Sequence, residues 1–240
     1  MIGILGGMGT QAGLDFCIKL AKLNKGKTDQ QYPLFVLYNK SNIPGRPENL
    51  HKYNKVLKSL LSGCKFLEKS KCKFIVIPCN TAHYWFEDLQ KKTNIPIISM
   101  PKEVYLHSIK TCKKNSRIGI LATEGTIKTG IYNKFFDKNF TIIKPSKSVQ
   151  KKNVNKAIKF VKMGKIKEAE KAIRIAVNSL IRMKCSKIIL GCTELPIAIF
   201  AFKSFQKIKK SKTFLDPNLI LAHSSMRRYK SLISKPKTFW

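Results

Sequence analysis

The sequence predicts an α/β protein with two pseudosymmetric domains, each a doubly wound parallel sheet flanked by helices. Three observations predict this architecture. Short apolar runs alternate along the chain with longer amphipathic stretches, which is the pattern of strands and helices in parallel sheets. The opening Met-Ile-Gly-Ile-Leu-Gly-Gly-Met-Gly is echoed from Arg117 by Arg-Ile-Gly-Ile-Leu-Ala-Thr-Glu-Gly. Two further apolar runs, which start at Lys73 and Lys187, each end in a cysteine.

The two halves of the chain repeat with nearly one spacing. Ile2 pairs with Ile118 at an offset of 116 residues (118 − 2), and Cys79 pairs with Cys192 at an offset of 113 residues (192 − 79). Two unrelated features that repeat together indicate two copies of one α/β unit, although coincidence between two generic buried strands stays open. We expect a first domain of residues 1–100 plus 213–240 and a second domain of residues 101–212.

The elements of the first half follow from periodicity and composition. Apolar residues recur at helical spacing from Ala12 to Leu23, which predicts a helix over residues 10–23. Pro-Leu-Phe-Val-Leu-Tyr at residues 33–38 and the run before Cys79 have the length and composition of buried strands. The other predicted elements of this half are a helix over residues 50–68, a helix over residues 82–92 and a strand over residues 95–99.

The second half repeats this alternation, which predicts a second parallel sheet. Its predicted elements are a strand over residues 117–122, a helix over 127–138, a strand over 140–144, helices over 153–163 and 165–184, and the strand before Cys192. A last strand over residues 213–216 and a last helix over residues 218–233 follow a basic loop. We expect these last two elements to return to the first domain.

Composition narrows the class of protein. A hydrophobic fraction of 43% excludes a disordered chain, and every apolar run is shorter than the roughly 20 residues of a membrane span. Met1 leads directly into an apolar strand with no basic region before it, so we expect no secretory signal. The seven cysteines form no CxxC pair and no regular spacing, which favours a reducing compartment. We therefore expect a cytoplasmic protein without a membrane partner.

The charge of the chain is strongly positive. Lys plus Arg number 47 against 13 Asp plus Glu, which gives a formal net charge of +34. Such an excess commonly indicates nucleic acid or an anionic surface as partner. Here the basic residues are mostly lysines scattered through every segment, and only residues 203–212 approach a basic cluster. We attribute the charge to a compositional bias that places lysine on solvated faces, and we do not expect a nucleic-acid partner.

The glycine-rich start is a first candidate for binding. The segment from Gly7 to Ala12 matches the G-x-G-x-x-A fingerprint of dinucleotide sites, after a predicted strand and before a predicted helix. That fingerprint also requires an acid at the end of the second strand, where this chain has Asn39. The alternative is a tight loop whose backbone amides, at a helix N-terminus, face a small anion such as a carboxylate.

Two of the seven cysteines are stronger candidates for chemistry. Cys79 and Cys192 each follow a predicted strand and precede residues suited to cap a helix. A thiol at a helix N-terminus has its pKa lowered toward neutrality, which makes it a usable base. Two such groups on opposite sides of a ligand can remove a proton from carbon and return one to the other face. The other cysteines have the pattern of core residues: Cys17, Cys64, Cys72, Cys112 and Cys185.

Five motifs carry a family resemblance: Leu-Gly-Gly-Met-Gly, Ile-Pro-Gly-Arg-Pro, Pro-Cys-Asn-Thr-Ala-His, Ala-Thr-Glu-Gly-Thr and Gly-Cys-Thr-Glu-Leu. In this order and spacing the chain resembles the aspartate/glutamate racemase family, most of all its aspartate racemase branch, from Met1 to about Tyr229. The resemblance implies racemisation of an amino acid without a cofactor, in an active site in the cleft between the two domains. It implies Cys79 and Cys192 as the two acid/base groups, and a homodimer.

The resemblance also implies the contacts to substrate. Arg46 lies where the family has an arginine that holds a substrate carboxylate, and Lys162 matches a lysine that helps to bind a second carboxylate. Their offset is again 116 (162 − 46), so each half would contribute one cation. A guanidinium and an ammonium together favour a dicarboxylic amino acid. The family motifs further imply hydrogen-bonding roles for Met8, Asn80, Thr81, Thr126 and Thr193.

Some residues depart from the family pattern or admit a simpler interpretation. Gly45 and Pro47 replace the usual Asp and Thr of the substrate loop, which could change its geometry and the choice of substrate. Cys79 and His83 form half of a possible metal site with no second half, so we predict no metal, and the histidine is more typical of a structural group. We therefore predict a racemase of aspartate, with glutamate or a related acid as the alternative substrate. The alternatives are a related maleate isomerase or decarboxylase that uses one nucleophilic cysteine, and a basic nucleic-acid-binding protein.

Overall fold

The computed structural model describes residues 1–24, 26–136, 138–201, 205 and 213–234. This part of the chain contains two four-stranded sheets in which every strand pair is parallel. The first sheet consists of β1 (Ile2–Gly6), β2 (Phe35–Asn39), β3 (Phe74–Val76) and β4 (Ile97–Ile98). The second consists of β5 (Arg117–Ala122), β6 (Thr141–Ile143), β7 (Lys187–Gly191) and β8 (Phe214–Leu215). The orders β2-β1-β3-β4 and β6-β5-β7-β8 are the same order twice, which confirms the predicted two-domain α/β fold.

The helices lie between the strands, as a doubly wound sheet requires. The first half contains α1 (Thr10–Leu23), α2 (Tyr53–Lys69), α3 (Phe86–Lys91) and α4 (Met100–Thr111), with 3-10 turns at Asp29–Gln31, Leu50–Lys52 and Thr81–Trp85. The second half contains α5 (Glu124–Thr129), α6 (Asn133–Phe136), α7 (Lys147–Val149), a π-helical turn (Gln150–Val154), α8 (Asn155–Lys162), α9 (Ile166–Arg182) and α10 (Leu195–Phe200). A final helix, α11 (Pro217–Ile233), follows β8.

Each sheet is covered by helices on both of its faces because its strands bury both faces. Along β3, Ile75 joins a core cluster that contains residues of α2, whereas Phe74 and Val76 join a second cluster that contains residues of α1 and α11. Along β7, Ile188 and Leu190 likewise join one cluster, and Ile189 joins another. Alternate side chains of a strand point to opposite faces, so near-continuous apolar runs result.

The last strand differs from the prediction. We expected residues 213–240 to return to the first domain as a whole, but β8 pairs with β7 through Ile188 and Phe214 and so belongs to the second sheet. Within the described part of this segment, α11 packs against the first half, through α1 and α4. The predicted domain boundary at residue 213 therefore cuts between a strand and the sheet that it completes. The lysines within residues 203–212 lie outside the described part of the chain.

Two helices also differ from the prediction. The helix expected over residues 127–138 is split into α5 and α6, because Gly130 adopts a left-handed conformation with φ of +61° and ends α5. The sequence interpretation omitted α4 altogether. Its start carries a recognisable signal, since Pro101 lies in the first turn, where its missing N–H costs nothing.

The carboxyl ends of the central strands position the residues that matter below. In both sheets the strand order reverses between the first and third strand in sequence, and ligands of open α/β sheets bind beside such switch points. Gly7 follows β1 with φ of +87°, and a Cβ there would lie 2.3 Å from the backbone carbon of Lys40. Only glycine fits that tight loop. None of the described helices is long and apolar enough to span a membrane.

Candidate active site

Both predicted catalytic cysteines line one small cavity between the two halves. Cys79 lies three residues beyond β3, and Cys192 follows β7 directly, so the two thiols come from equivalent edges of the two sheets. The cavity has a volume of about 20 Å³. Eight of the nine predicted site residues line it: Met8, Arg46, Cys79, Asn80, Thr81, Lys162, Cys192 and Thr193. The ninth, Thr126, lies behind the cavity wall, where its hydroxyl contacts that of Thr81 at 2.8 Å.

The cavity lies beside a larger one. A second cavity of about 560 Å³ shares Pro47, Thr123 and Lys162 with the small one. These three residues therefore separate the enclosed space beside the thiols from the outer cleft. In this closed form the inner space is about the size of one water molecule, so a ligand enters only if this partition moves.

The environment of Cys192 overturns the predicted lowering of its pKa. Its Sγ donates a hydrogen bond to Oε2 of Glu194 at 3.0 Å, and both side chains are buried. Burial, then the adjacent Glu194 carboxylate, raise the pKa of the Cys192 thiol well above its usual range. The helix that was to lower it, α10, has only six residues and starts three residues later. Desolvation and a neighbouring negative charge thus outweigh a weak helix dipole, and Cys192 is a protonated thiol at neutral pH.

Glu194 also connects Cys192 to a cation. Its Oε1 lies 4.0 Å from Nζ of Lys162, whose side chain is 53% exposed. The same Oε1 is buried and has no hydrogen-bond partner among the described residues. Lys162 therefore reaches from solvent over the rim of the cavity toward a buried carboxylate. An ammonium in that place can contact Glu194 or an anionic ligand without moving its backbone.

Cys79 is held through its backbone by His83. Nε2 of His83 accepts a hydrogen bond from the backbone N–H of Met100 at 3.0 Å, so Nδ1 carries the proton and donates to the carbonyl oxygen of Cys79 at 2.9 Å. Burial lowers the pKa of His83 to about 4. The histidine is therefore neutral, and both of its ring nitrogens make hydrogen bonds. This agrees with the expectation from the sequence that His83 is a structural group. Among the described residues no group of His, Cys, Asp and Glu side chains could hold a metal ion.

Asn80 has a different role from the helix cap that the sequence indicated. No side-chain capping bond starts the 3-10 turn Thr81–Trp85, and Oδ1 of Asn80 instead accepts a hydrogen bond from the hydroxyl of Tyr132 at 2.5 Å. Asn80 belongs to the first half and Tyr132 to the second. The Nδ2 of Asn80 is buried, and it has no hydrogen-bond partner within the described part of the chain.

Threonines form a second set of contacts across the cleft. Oγ1 of Thr81 lies 3.1 Å from Oγ1 of Thr123 and 2.8 Å from Oγ1 of Thr126. Thr123 also caps α5, because its hydroxyl accepts from the backbone N–H of Thr126 at 3.1 Å. Nearby, a Cβ on Gly125 would come within 2.8 Å of Cα of Pro47, so the two halves approach backbone to backbone.

Arg46 is bound mostly to the protein itself. Its Nη2 donates to the carbonyl oxygen of Met8 at 2.9 Å, and Nη1 lies 3.3 Å and 3.2 Å from the carbonyl oxygens of Ile43 and Pro44. The Nε is buried and finds no hydrogen-bond partner in the described chain. In this closed form the guanidinium therefore holds its own loop against the glycine-rich turn, and part of its donor capacity remains for a ligand.

Three lining side chains were absent from the predicted set: Pro47, Thr123 and Glu194. Each had a signal in the sequence. Pro47 belongs to the substrate loop, and Glu194 stands two residues after a predicted catalytic cysteine. Thr123 follows β5 as the glycine-rich turn follows β1, so the repeat itself indicated a residue at this position.

Comparison with known proteins identifies the family. The model of the Asp/Glu/hydantoin racemase family matches residues 5–224. The chain therefore belongs to this family, and the amino-acid racemase class of isomerase that the sequence predicted is confirmed.

Individual relatives agree with this assignment. The aspartate racemase of Picrophilus torridus is 28% identical, with a TM-score of 0.81 over 95% of this chain and 94% of that one. The broad specificity amino-acid racemase RacX of Bacillus subtilis is 27% identical over 233 residues, which cover 95% of this chain and 98% of that protein. A glutamate racemase of Corynebacterium diphtheriae is 29% identical over 161 residues, or 65% of this chain and 57% of that protein.

Proposed function

We propose that the protein interconverts L- and D-aspartate by proton transfer at Cα between two cysteines, without a cofactor. The observation that carries this proposal is that Cys79 and Cys192, from equivalent edges of two like sheets, line the same cavity. One thiolate removes the Cα proton from one face of the substrate, and the opposite thiol protonates the other face. In the reverse direction the two groups exchange roles.

The two thiols have different surroundings, and this difference supports a proposal about which thiol carries the proton when a turnover begins. Since burial and the Glu194 carboxylate raise the pKa of Cys192, this residue begins a turnover as the acid. Cys79 then begins as the base. Donation from Cys192 leaves a thiolate beside a carboxylate, which is unfavourable, so Cys192 is readily protonated again in the reverse step.

The lining residues supply groups for a dicarboxylic substrate. Nδ2 of Asn80 is a buried donor without a partner in the described chain, and the hydroxyls of Thr81 and Thr123 lie beside it in the cavity wall. Arg46 and Lys162 provide one cation from each half. We favour aspartate because the Picrophilus torridus relative is an aspartate racemase. The likeness to a broad specificity racemase makes other amino acids the substrates to test next.

Substrate entry requires the partition between the inner and outer cavities to move. The exposed Lys162 side chain and the loop that carries Arg46 and Pro47 are the parts of this partition that border the outer cavity. Closure of such a loop over the substrate would exclude water from the thiols and bring both cations close to the substrate carboxylates.

The decisive experiment follows exchange of the Cα proton. L- and D-aspartate are incubated with the protein in deuterated water without added pyridoxal phosphate, and chirality and deuterium incorporation are measured together. Racemisation is expected with the wild type and with Cys112→Ala, a control at a part-buried cysteine away from the cavity. Cys79→Ala and Cys192→Ala should both abolish it. Racemisation that survives in either variant contradicts the two-base mechanism, and an isomerase or decarboxylase that uses one nucleophilic cysteine would show no racemisation at all.

The proposed acid role of Cys192 has its own test in the pH profile. Glu194→Gln removes the negative charge that helps to raise the pKa of Cys192, so the basic limb of the kcat/KM profile should move to lower pH. Glu48→Gln, at an exposed acid on the outer cavity, is the matched control and should leave the limb in place. An unchanged limb in Glu194→Gln would argue against this assignment.

The homodimer and the cytoplasmic location expected from the sequence are part of this proposal. Analytical ultracentrifugation of the purified chain at physiological salt tests the dimer. Retention on a nucleic-acid column at the same salt tests the alternative function that the charge of +34 suggests, a nucleic-acid-binding protein. Retention that is lost at higher salt, together with no exchange at Cα, would favour the binding protein.

A further inference from the structure

A tyrosine of the second half binds the amide that follows the first catalytic cysteine. The hydroxyl of Tyr132 donates to Oδ1 of Asn80 at 2.5 Å, across the cleft between the two halves. Both side chains are buried, with 1% exposure for Tyr132 and 2% for Asn80. Asn80 lines the cavity that contains both thiols, whereas Tyr132 does not.

This bond fixes the orientation of the Asn80 amide. Oδ1 and Nδ2 of an asparagine diverge from one carbon, so holding Oδ1 against Tyr132 directs Nδ2 away from it. Nδ2 is buried and has no hydrogen-bond partner among the described residues, although an unpaired buried donor is unfavourable. We propose that Tyr132 is a positioning residue whose hydroxyl holds the Asn80 amide with its N–H groups toward a carboxylate of the substrate. This inference rests on the proposed function.

Tyr132 is suited to hold a fixed orientation. Its ring packs edge-on against Phe136, with ring centroids 5.9 Å apart, inside a core cluster of the second half. Burial raises the pKa of Tyr132 well above its usual value, so the hydroxyl keeps its proton and remains a donor at every working pH. Oδ1 is the acceptor that matches such a donor. The alternative amide orientation would point Nδ2 at the hydroxyl and Oδ1 at the substrate carboxylate, which is repulsive.

The contact also makes substrate binding depend on both halves. Asn80 belongs to the first half, but the orientation of its amide is set by Tyr132, which follows α5 in the second half. Withdrawal of the second half would release the amide. The correct orientation of Asn80 is therefore a property of the closed cleft.

The first test removes only the hydroxyl. Tyr132→Phe should raise KM for aspartate about tenfold, since a buried hydrogen bond is lost and the amide can turn over, and it should leave kcat within about twofold. Tyr105→Phe is the matched control, because the Tyr105 hydroxyl also contacts an asparagine amide, that of Asn139 at 2.7 Å, and its ring packs against the same Phe136. This control should leave KM unchanged. An unchanged KM in Tyr132→Phe, or equal changes in both variants, would overturn the proposal.

A double-mutant cycle separates positioning from a general structural effect. If Tyr132 acts through the Asn80 amide, Tyr132→Phe has no further effect on KM once Asn80→Ala is present. Additive effects would overturn the proposal. Asn80→Asp keeps an acceptor for Tyr132 but replaces the N–H donors by an oxygen, so it should raise KM more than tenfold. A normal KM in Asn80→Asp would also overturn it, whether or not Tyr132→Phe folds.

One measurement does not depend on the substrate. The side-chain amide resonances of Asn80 in protein labelled with 15N-asparagine are identified by their loss in Asn80→Ala. They should shift in Tyr132→Phe and stay in place in Tyr105→Phe. Resonances that stay in place in both variants would refute the positioning role. Absence of aspartate exchange in the wild type, with shifted resonances in Tyr132→Phe, would instead refute the proposed substrate alone.

Discussion

His83 makes the stability of the protein depend on pH in a defined window. Its Nδ1 donates to the Cys79 carbonyl at 2.9 Å and its Nε2 accepts from the Met100 N–H at 3.0 Å. Protonation of Nε2 would turn that acceptor into a donor facing another donor, at a buried side chain. Burial accordingly lowers the pKa of His83 to about 4, from an ordinary value of 6.5.

The sign of the effect follows from proton binding in the two states. Because the pKa is lower in the folded state, the unfolded chain binds more protons between about pH 6.5 and pH 4, and the free energy of unfolding falls as the pH falls through this window. The contribution of His83 is fully present above pH 6.5. The difference between the two pKa values corresponds to roughly 3 kcal/mol once the pH is below both, and to about 2.5 kcal/mol at pH 4.5.

Urea unfolding at pH 7.5 and pH 4.5 measures this difference. His83→Gln keeps a polar side chain but cannot titrate, so the wild type should lose about 2.5 kcal/mol more between the two pH values than this variant does. His51→Gln, at an exposed histidine, is the control and should lose as much as the wild type. Equal losses in the wild type and in His83→Gln would refute the reasoning, because His83 would then titrate alike in both states.

Two other substitutions test contacts between elements. Gly125→Ala places a methyl group 2.8 Å from Cα of Pro47, a backbone atom that cannot turn aside, so the cleft should close less fully and KM should rise several-fold. Gly45→Ala, whose methyl group meets only the end of a flexible side chain, should change KM little, and equal KM values in the two variants would contradict this account. Lys19→Met leaves the buried carboxylate of Asp216, 2.8 Å from the Lys19 ammonium, without its cation. It should lower the free energy of urea unfolding by about 3 kcal/mol, and a loss below about 0.5 kcal/mol would show that the ion pair contributes little.

Much of the fold could be predicted because its signals are local. Apolar spacing gave helix α1 over Thr10–Leu23 with the bounds that the structure shows, and the β-branched runs gave the central strands. The sheet to which β8 belongs could not be predicted, because a strand of only two residues, Phe214–Leu215, does not specify its partner. Its place is set in the folded chain, where β8 pairs with β7. The split between α5 and α6 depends on the left-handed conformation of Gly130, and an isolated glycine in a helical pattern is usually tolerated.

The residues that line the cavity could be predicted from motifs, but their electrostatics could not. The sequence places Cys192 before a helix, which predicts a lowered pKa. Burial and the contact with Glu194 at 3.0 Å reverse that prediction, and both depend on tertiary structure. The surroundings of Arg46 could not be predicted either. Its position in the loop indicated a carboxylate ligand, but its hydrogen bonds to carbonyl oxygens, such as that of Met8, depend on the folded chain.

In the proposed mechanism, the near symmetry of the two sheets and the different surroundings of the two thiols have different roles. Two like sheets bring Cys79 and Cys192 to one cavity from equivalent edges, and the proposed inversion at carbon uses both thiols. Two identical thiols would not decide which one starts with the proton. In this mechanism Glu194 makes the two thiols different, because its carboxylate accepts a hydrogen bond from Cys192, whereas Cys79 is held by a neutral histidine through its backbone. In the proposed mechanism the fold supplies the geometry of inversion, and one buried acid sets which thiol starts with the proton.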